Sequence, residues 1–313
     1  MILVTGPNGN VGTELSQLLV KRKSAPYRIA SRHPESLRKQ FGVDVPAVAF
    51  DFLDHAGWPD ALKGVESVFL LFPLPHPATA KNHMVPFVYA CRDAGVKHIV
   101  YLSVPGADKV SIVPHFHTEK AIRECGIGYT ILQASYFSQN LIRDISTHWV
   151  DIAKYNEIYI PAKQGLHSFI DSRDVGEAAF NIMLDPAPHL GKTYVVTGPE
   201  NLSFGDVAQI MTEELGRPIR YANPSLPAFW WRMKRRGVTG DVLFFMCITY
   251  LLGRRGKNGP MTDTLPKLLT RPPNTMRDFV RRHRDKWQPL SHEAKLDPTL
   301  GRGPGWGGPK RGG

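Results

Sequence analysis

Apolar positions in the first hundred residues come in short runs, separated by stretches with helical spacing. Ile2–Thr5 is a β-branched run suited to a buried strand, and Thr13–Val20 follows with Leu15, Leu18 and Leu19 repeating as on a helix. Tyr27–Ser31 reads as a second strand and Val48–Phe50 as a third. Val65–Phe72 is nearly all apolar, as a central parallel strand buried on both faces requires, and it stops at Pro73-Leu74-Pro75. A helix over Phe87–Ala94 ends at Gly95, and His98–Ser103 supplies a fifth strand. This alternation predicts a doubly wound parallel α/β sheet over residues 1–135, with Phe169-Ile170 and Tyr194–Thr197 (near 167–198) returning as its last strands. Residues 136–290 then make a smaller, mostly helical C-terminal lobe. In it Thr212-Glu-Glu-Leu-Gly216 closes a helix on glycine, and Asn274 is placed to cap Met276–His283. The Gly/Pro-rich stretch 291–313 is expected to be a disordered tail.

Between the first strand and the first helix lies Gly6-x-x-Gly9-x-x-Gly12. A strand, a glycine turn and a helix N-terminus make a cradle for a pyrophosphate, because glycines admit close backbone approach and the free N–H groups face the charge. Thr5, Gly6, Asn8, Gly9, Asn10, Val11 and Gly12 are therefore the expected cofactor contacts of a Rossmann core. The second strand ends in Ser31-Arg32-His33-Pro34. An acid at that place suits a free ribose 2′-hydroxyl, and a guanidinium suits a 2′-phosphate, so Arg32 favours NADP(H) over NAD(H). Asp51 is placed to meet the adenine amino group, with Phe52 beside it. Ligands of such sheets sit outside the carboxyl ends of the strands, which gathers Phe72, Pro73, Ser103 and Val104 around the same crevice.

The stretch from Val113-Pro-His-Phe-His-Thr-Glu-Lys to Ser135-Tyr-Phe-Ser-Gln-Asn-Leu141 resembles the NmrA-like atypical short-chain dehydrogenases. His167–Ala179, Thr193–Gly198 and Leu269–Phe279 carry the same resemblance, which covers residues 1–287. It implies an NAD(P)-binding fold, and it implies one of two roles. Some members are NADPH-dependent quinone reductases, and others are redox-sensing regulators that bind the cofactor.

Most short-chain dehydrogenases use Tyr-x-x-x-Lys, and sliding that pattern along this chain puts the slots at Ser111 and His115. A serine hydroxyl is a far weaker acid than a phenol, so the usual proton relay is not expected. The resemblance keeps a histidine at His115, which is the candidate catalytic residue and a candidate cofactor contact, able to hydrogen-bond the ribose or give a proton near neutral pH. Gln133-Ala-Ser-Tyr-Phe137 takes the place of the family's Arg-Pro-Gly-Phe-Phe loop across the nicotinamide, so Tyr136 and Phe137 are expected to wall the active site. Glu119 and Lys120 read as solvated, and Asp171 and Asp174 as helix caps near Arg173. His115-x-His117 lacks further ligands at metal spacing, so no metal is expected.

Composition changes this picture in one place. The 313 residues suffice for a large core, and three scattered cysteines suit a reducing cytoplasm rather than a disulfide framework. The chain enters its first strand at once, so no signal peptide is expected, and the apolar run Val242–Leu252 is too short to span a bilayer. Charge, however, is lopsided. Residues 1–216 hold 19 Lys+Arg against 22 Asp+Glu, whereas residues 217–313 hold 20 against 6. Its foci are Arg232–Arg236, Arg254–Lys257 and Arg281–Lys286. The simpler expectation is a solvated basic face with Trp230-Trp231 and Phe244-Phe245 packed inward. The alternative is a surface in 217–290 for an acidic protein partner, nucleic acid or a membrane surface.

Three functions follow in order. The first is an NADPH-dependent oxidoreductase passing hydride to a quinone or similar flat conjugated carbonyl, held against Phe72, Tyr136, Phe137 and Trp230 in the cleft between lobes. The second is a non-catalytic NADP(H) sensor acting through a protein partner. Nucleic-acid binding ranks last, because neither a helix-turn-helix nor an aromatic-basic ribonucleoprotein motif occurs.

Overall fold

The computed structural model describes residues 1–73, 77–256, 261–291, 297, 300 and 301. Leu74-Pro75, Lys257 and most of the predicted tail lie outside the described residues. In chain order the strands are β1 (Ile2–Thr5), β2 (Tyr27–Ser31), β3 (Ala47–Ala49), β4 (Ser67–Leu71), β5 (His98–Ser103), β6 (Gly128–Ala134), β7 (Glu157–Ile158), β8 (His167–Phe169), β9 (Lys192–Val196), β10 (Glu200–Leu202) and β11 (Arg220–Tyr221). Contacts divide the chain into two compact units. The first comprises Met1–Ser135, Ser172–Thr197 and Thr262–Pro273; the second comprises Tyr136–Asp171, Gly198–Met261 and the described residues from Asn274 onward.

The first unit is a Rossmann-like α/β fold around a seven-stranded sheet of order β3-β2-β1-β4-β5-β6-β9. Every pairing in it is parallel. The middle strands are buried on both faces, which is why Leu3, Val4, Val68, Phe69, Leu70, Ile99, Val100 and Ile131 form an unbroken apolar layer. Helix Asn10–Arg22 packs on helix Ser172–Leu184, and the approach is close at Gly176, where a Cβ would fall 2.7 Å from that of Glu14. Strand order reverses between β2-β1 and β4-β5, so the crevice of such folds opens at the carboxyl ends of β1 and β4.

Phe169-Ile170 does not return to this sheet as expected. The edge beside β6 is taken by β9, and β8 pairs antiparallel with β10 in the second unit. There the backbones come so near that a Cβ on Gly198 would lie 1.6 Å from the Phe169 carbonyl oxygen. Thr262–Pro273, expected in the smaller lobe, belongs to the first unit. Thr262 Oγ1 donates to the Val195 carbonyl at 2.7 Å, Asn181 Nδ2 to that of Leu268 at 2.9 Å, and Arg271 pairs with Asp174 and Glu177.

The second unit holds two two-stranded sheets, β10-β8 and β11-β7, among helices. Its core gathers Ile152, Phe204, Met211, Phe229, Met233, Leu243, Tyr250, Phe279 and Trp287. Arg232 and Arg236 converge on the buried Asp151, which pairs two cations of the first basic focus with an internal carboxylate. Arg281 and Arg282, in the third focus, pair with Glu214 and Asp171. The helix Met276–His283 is capped by Thr275 through a reciprocal box with Asp278, not by Asn274. Asp171 and Asp174, expected as helix caps, also enter ion pairs, with Arg282 and Arg271 respectively. Trp230-Trp231 and Phe244-Phe245 do not pack inward either: they are 39–63% exposed, since Phe229, Met233, Leu243 and Met246 already fill the interior positions of their helices.

At Gly12 a Cβ would stand 2.2 Å from the carbonyl oxygen of Gly6, a backbone atom. Gly12→Ala is expected to destabilise the fold by about 1–3 kcal/mol, the cost of overpacking against backbone, read as a lower denaturation midpoint. An unchanged midpoint would mean that the turn relaxes freely.

Candidate functional site

At the carboxyl edge of the sheet the chain turns from β1 directly into helix Asn10–Arg22. Thr5 locks the start of that turn: its buried hydroxyl donates to the Phe69 carbonyl at 2.9 Å and accepts from the Leu71 N–H at 3.0 Å. Gly6 has φ +63°, and a Cβ there would collide with Leu71 at 2.1 Å. Gly9 donates its N–H to the Gly6 carbonyl at 2.9 Å. Its own backbone is extended (φ −80°, ψ 171°), and a Cβ would meet Gly6 and Leu71 at 3.2 Å, tight without collision. The turn therefore demands Gly6 and Gly12 and is more tolerant at Gly9. No side chain caps the helix, and its first turn carries no acid. The leading N–H groups of Asn10, Val11 and Gly12 stand beside the exposed Asn8 and half-buried Gly9, an arrangement that fits an anionic group.

A groove of about 570 Å³ at the ends of β2 and β3 is lined by Arg32, His33, Phe50, Asp51 and Asp54 among others. The structure thus brings Arg32 and Asp51 together. Asp51 is held by its own turn, Oδ1 accepting from the Leu53 N–H at 3.0 Å, while its carbonyl accepts from Trp58 Nε1 at 3.0 Å. The Phe52 ring is buried edge-on against Phe50 and Phe87.

Ser103, at the end of β5, is buried and donates to Glu119, while Val104 and Pro73 are half-buried at strand ends. Glu119 is not solvated as expected. It is wholly buried, accepts from Gln133 Nε2 at 3.1 Å and pairs with Arg123 at 2.7 Å. Lys120 is exposed. His115 lies on the same face of helix Pro114–Glu124 as Glu119, four residues earlier. Its Nδ1 is 2.8 Å from the hydroxyl of Tyr101, and its ring packs on Phe72 with centroids 4.8 Å apart. Ser111, the other vacated slot, sits exposed in a turn before the helix and meets none of these groups.

Sequence reasoning missed Tyr101 and Gln133, although a signal for the first existed. Tyr101 and Ser103 are two apart on a strand; His115 and Glu119 are four apart on a helix. Both steps span roughly 6 Å on a single face, so the pairs register. Burial pushes the Tyr101 phenol well above its usual range and pulls His115 down to about 3. At neutral pH the ring is uncharged. In that state it can exchange hydrogen bonds with the phenol.

Tyr136 and Phe137 belong to the second unit. Tyr136 is packed edge-on against His167, Phe169 and Phe204, with its hydroxyl 3.2 Å from that of Tyr250, which in turn reaches His148 Nε2 at 2.7 Å. Phe137 bridges to Ile170 through the backbone.

With this geometry established, the comparisons with known proteins are specific. The model of the NmrA-like family matches residues 1–229. The chain belongs to the NmrA-like family. It is 31% identical over 288 residues to an NAD(P)H azoreductase of Xenophilus azovorans, covering 90% of this chain and 98% of that one. The NADPH-dependent quinone oxidoreductase of Escherichia coli, solved with NADPH, superposes with a TM-score of 0.76 at 24% identity, over 90% of this chain and 99% of that one. The triphenylmethane reductase of Citrobacter sp., solved with NADP(H), superposes at 0.77 with 23% identity, over 90% and 99%. In this NmrA-like chain the glycine cradle, Arg32 and the Tyr101–His115 pair all lie in the first unit, which the family match covers entirely as far as Ser135.

The depressed His115 fixes a sign. Its folded value near 3 lies below the ordinary 6.5, so the stability it contributes is complete above pH 6.5 and is lost as pH falls toward 3. In an NMR titration of the folded protein, the His115 ring protons are expected to stay at their neutral shift from pH 8 to pH 5. A midpoint near 6.5 would place the ring in water.

Proposed function

We propose that this chain is an NADPH-dependent oxidoreductase that reduces quinones or similar flat, conjugated acceptors by direct hydride transfer. The coarser part of that statement, an NAD(P)H-dependent oxidoreductase, rests on relatives named as NAD(P)H azoreductase and quinone oxidoreductase. The observation that carries the finer part is the set of groups at one sheet edge: an uncapped helix N-terminus behind three glycines, a guanidinium at the end of β2, and a buried, neutral His115 on Phe72. Asn10, Val11 and Gly12 would hold the pyrophosphate, and Arg32 the 2′-phosphate. When bound, the nicotinamide supplies two electrons as hydride; water supplies the proton that completes the hydroquinone.

His115 and Tyr101 then position rather than protonate. A quinone needs no strong acid, because the charge of its reduced form is spread over the ring, so a neutral imidazole suffices beside it. Phe72, buried against the His115 ring, makes that edge apolar. Tyr136 and Phe137 are assigned to acceptor binding on the strength of the sequence resemblance alone.

Two outcomes test this reading. Arg32→Ala is expected to weaken NADPH binding by about 1.5–3 kcal/mol, the range for a hydrogen bond to a charged group, with NADH nearly unaffected; equal losses would sink the 2′-phosphate assignment. His115→Gln is expected to raise KM for NADPH with kcat largely kept and flat from pH 6 to 8. A fall of about 10²-fold in kcat that follows a single ionisation would restore the acid role. Should wild type bind NADPH tightly and reduce none of a panel of quinones, azo dyes and conjugated carbonyls, the regulator reading takes over.

A further inference from the structure

Five large apolar side chains of the second unit stand in solvent along one helix. Helix Gly240–Arg254 turns Leu243, Met246, Tyr250 and Gly253 into the core of that unit. Phe244, Phe245, Ile248, Leu251 and Leu252 lie on its other side, 38–63% exposed. At about 100° per residue these five occupy an arc of roughly 120°, a continuous stripe. A helix that is apolar on both sides carries a second face made for something other than water.

Exposed cations accompany that stripe. Arg255, exposed, continues it by one turn at the C-terminal end. Lys234 and Arg235 are exposed at the end of helix Leu226–Arg235, which packs against this one, and Arg235 lies over the ring of Trp231 at 4.4 Å. Among the described residues these three form no salt bridge, in contrast to Arg232 and Arg236, which are bound to Asp151. Arg254 is likewise occupied, donating to the Pro161 carbonyl at 2.6 Å. A single acid, Asp241, shares the arc at its N-terminal end.

We propose that this face docks on an anionic phospholipid surface. Aromatic and aliphatic side chains along one stripe, with Arg255 at its end and exposed Lys234 and Arg235 on the adjoining helix, match the boundary between acyl chains and anionic headgroups. Bound so, the helix lies in the interface plane. It does not cross the membrane, and no described helix is long and apolar enough to do so. A second copy of the chain is the competing occupant, which the oligomeric state distinguishes. The proposal is independent of the reaction catalysed.

The test is co-sedimentation of the full chain with vesicles of phosphatidylcholine alone, or with about a third phosphatidylglycerol, at roughly physiological salt. Partitioning is expected to be about tenfold or more stronger on the anionic vesicles and to fall as salt is raised. Phe244→Ser/Phe245→Ser and, separately, Lys234→Gln/Arg235→Gln/Arg255→Gln are each expected to lower it by about tenfold while NADPH affinity, the control for folding, stays unchanged. No binding to either vesicle overturns the proposal, as does binding that neither variant alters. A concentration-dependent dimer that Phe244→Ser/Phe245→Ser dissolves would assign the face to a second copy instead. Saturable binding of polyglutamate without vesicle binding would assign it to an acidic protein.

Discussion

All seven strands of the central sheet run the same way, and the candidate site follows from that constraint. Parallel strands bring every carboxyl end to one edge, so Thr5, Ser31, Leu71 and Ser103 finish side by side although they are distant in sequence. The chain must leave β1 and enter a helix within a few residues, and only Gly6 and Gly12 permit the contact with Leu71 and with each other. Thr5 ties this turn to β4 by two hydrogen bonds at the point where the strand order reverses. The helix N-terminus, Arg32 and Phe72 then need no further machinery to share an edge.

Most of this was legible because the signals are local. A β-branched run followed by spaced glycines and a leucine repeat defines β1, its turn and its helix without knowledge of anything else in the chain. β2 and β5 likewise have the bounds that hydropathy assigns. What was not legible depends on competition for a partner. Nothing in Phe169-Ile170 itself says that β9 takes the place beside β6, and nothing in Thr262–Pro273 says that Asp174 and Glu177 await Arg271. Glu119 misled for the same reason: a carboxylate next to a lysine reads as surface until Ser103, Gln133 and Arg123 converge on it.

The same low-dielectric interior that makes Glu119 depend on its partners strips His115 of its proton. A buried imidazole without a carboxylate beside it is neutral, and its nearest polar neighbour is a phenol whose own ionisation burial opposes. The pair is thus a source of fixed, uncharged hydrogen bonds. That character suits acceptors whose added electrons are delocalised, and it is poorly suited to simple ketones, whose alkoxides demand a proton at once.

The central claim is that a nicotinamide held at this edge gives its hydride directly to a conjugated acceptor. The most direct measurement is stopped-flow single turnover, with NADPH bound to excess protein and mixed with a naphthoquinone while the reduced nicotinamide absorbance is followed. The account predicts single-exponential loss of that absorbance, slowed several-fold when deuterium occupies the transferred position at C4 of the nicotinamide. Bound NADPH whose absorbance persists at every quinone concentration would contradict it.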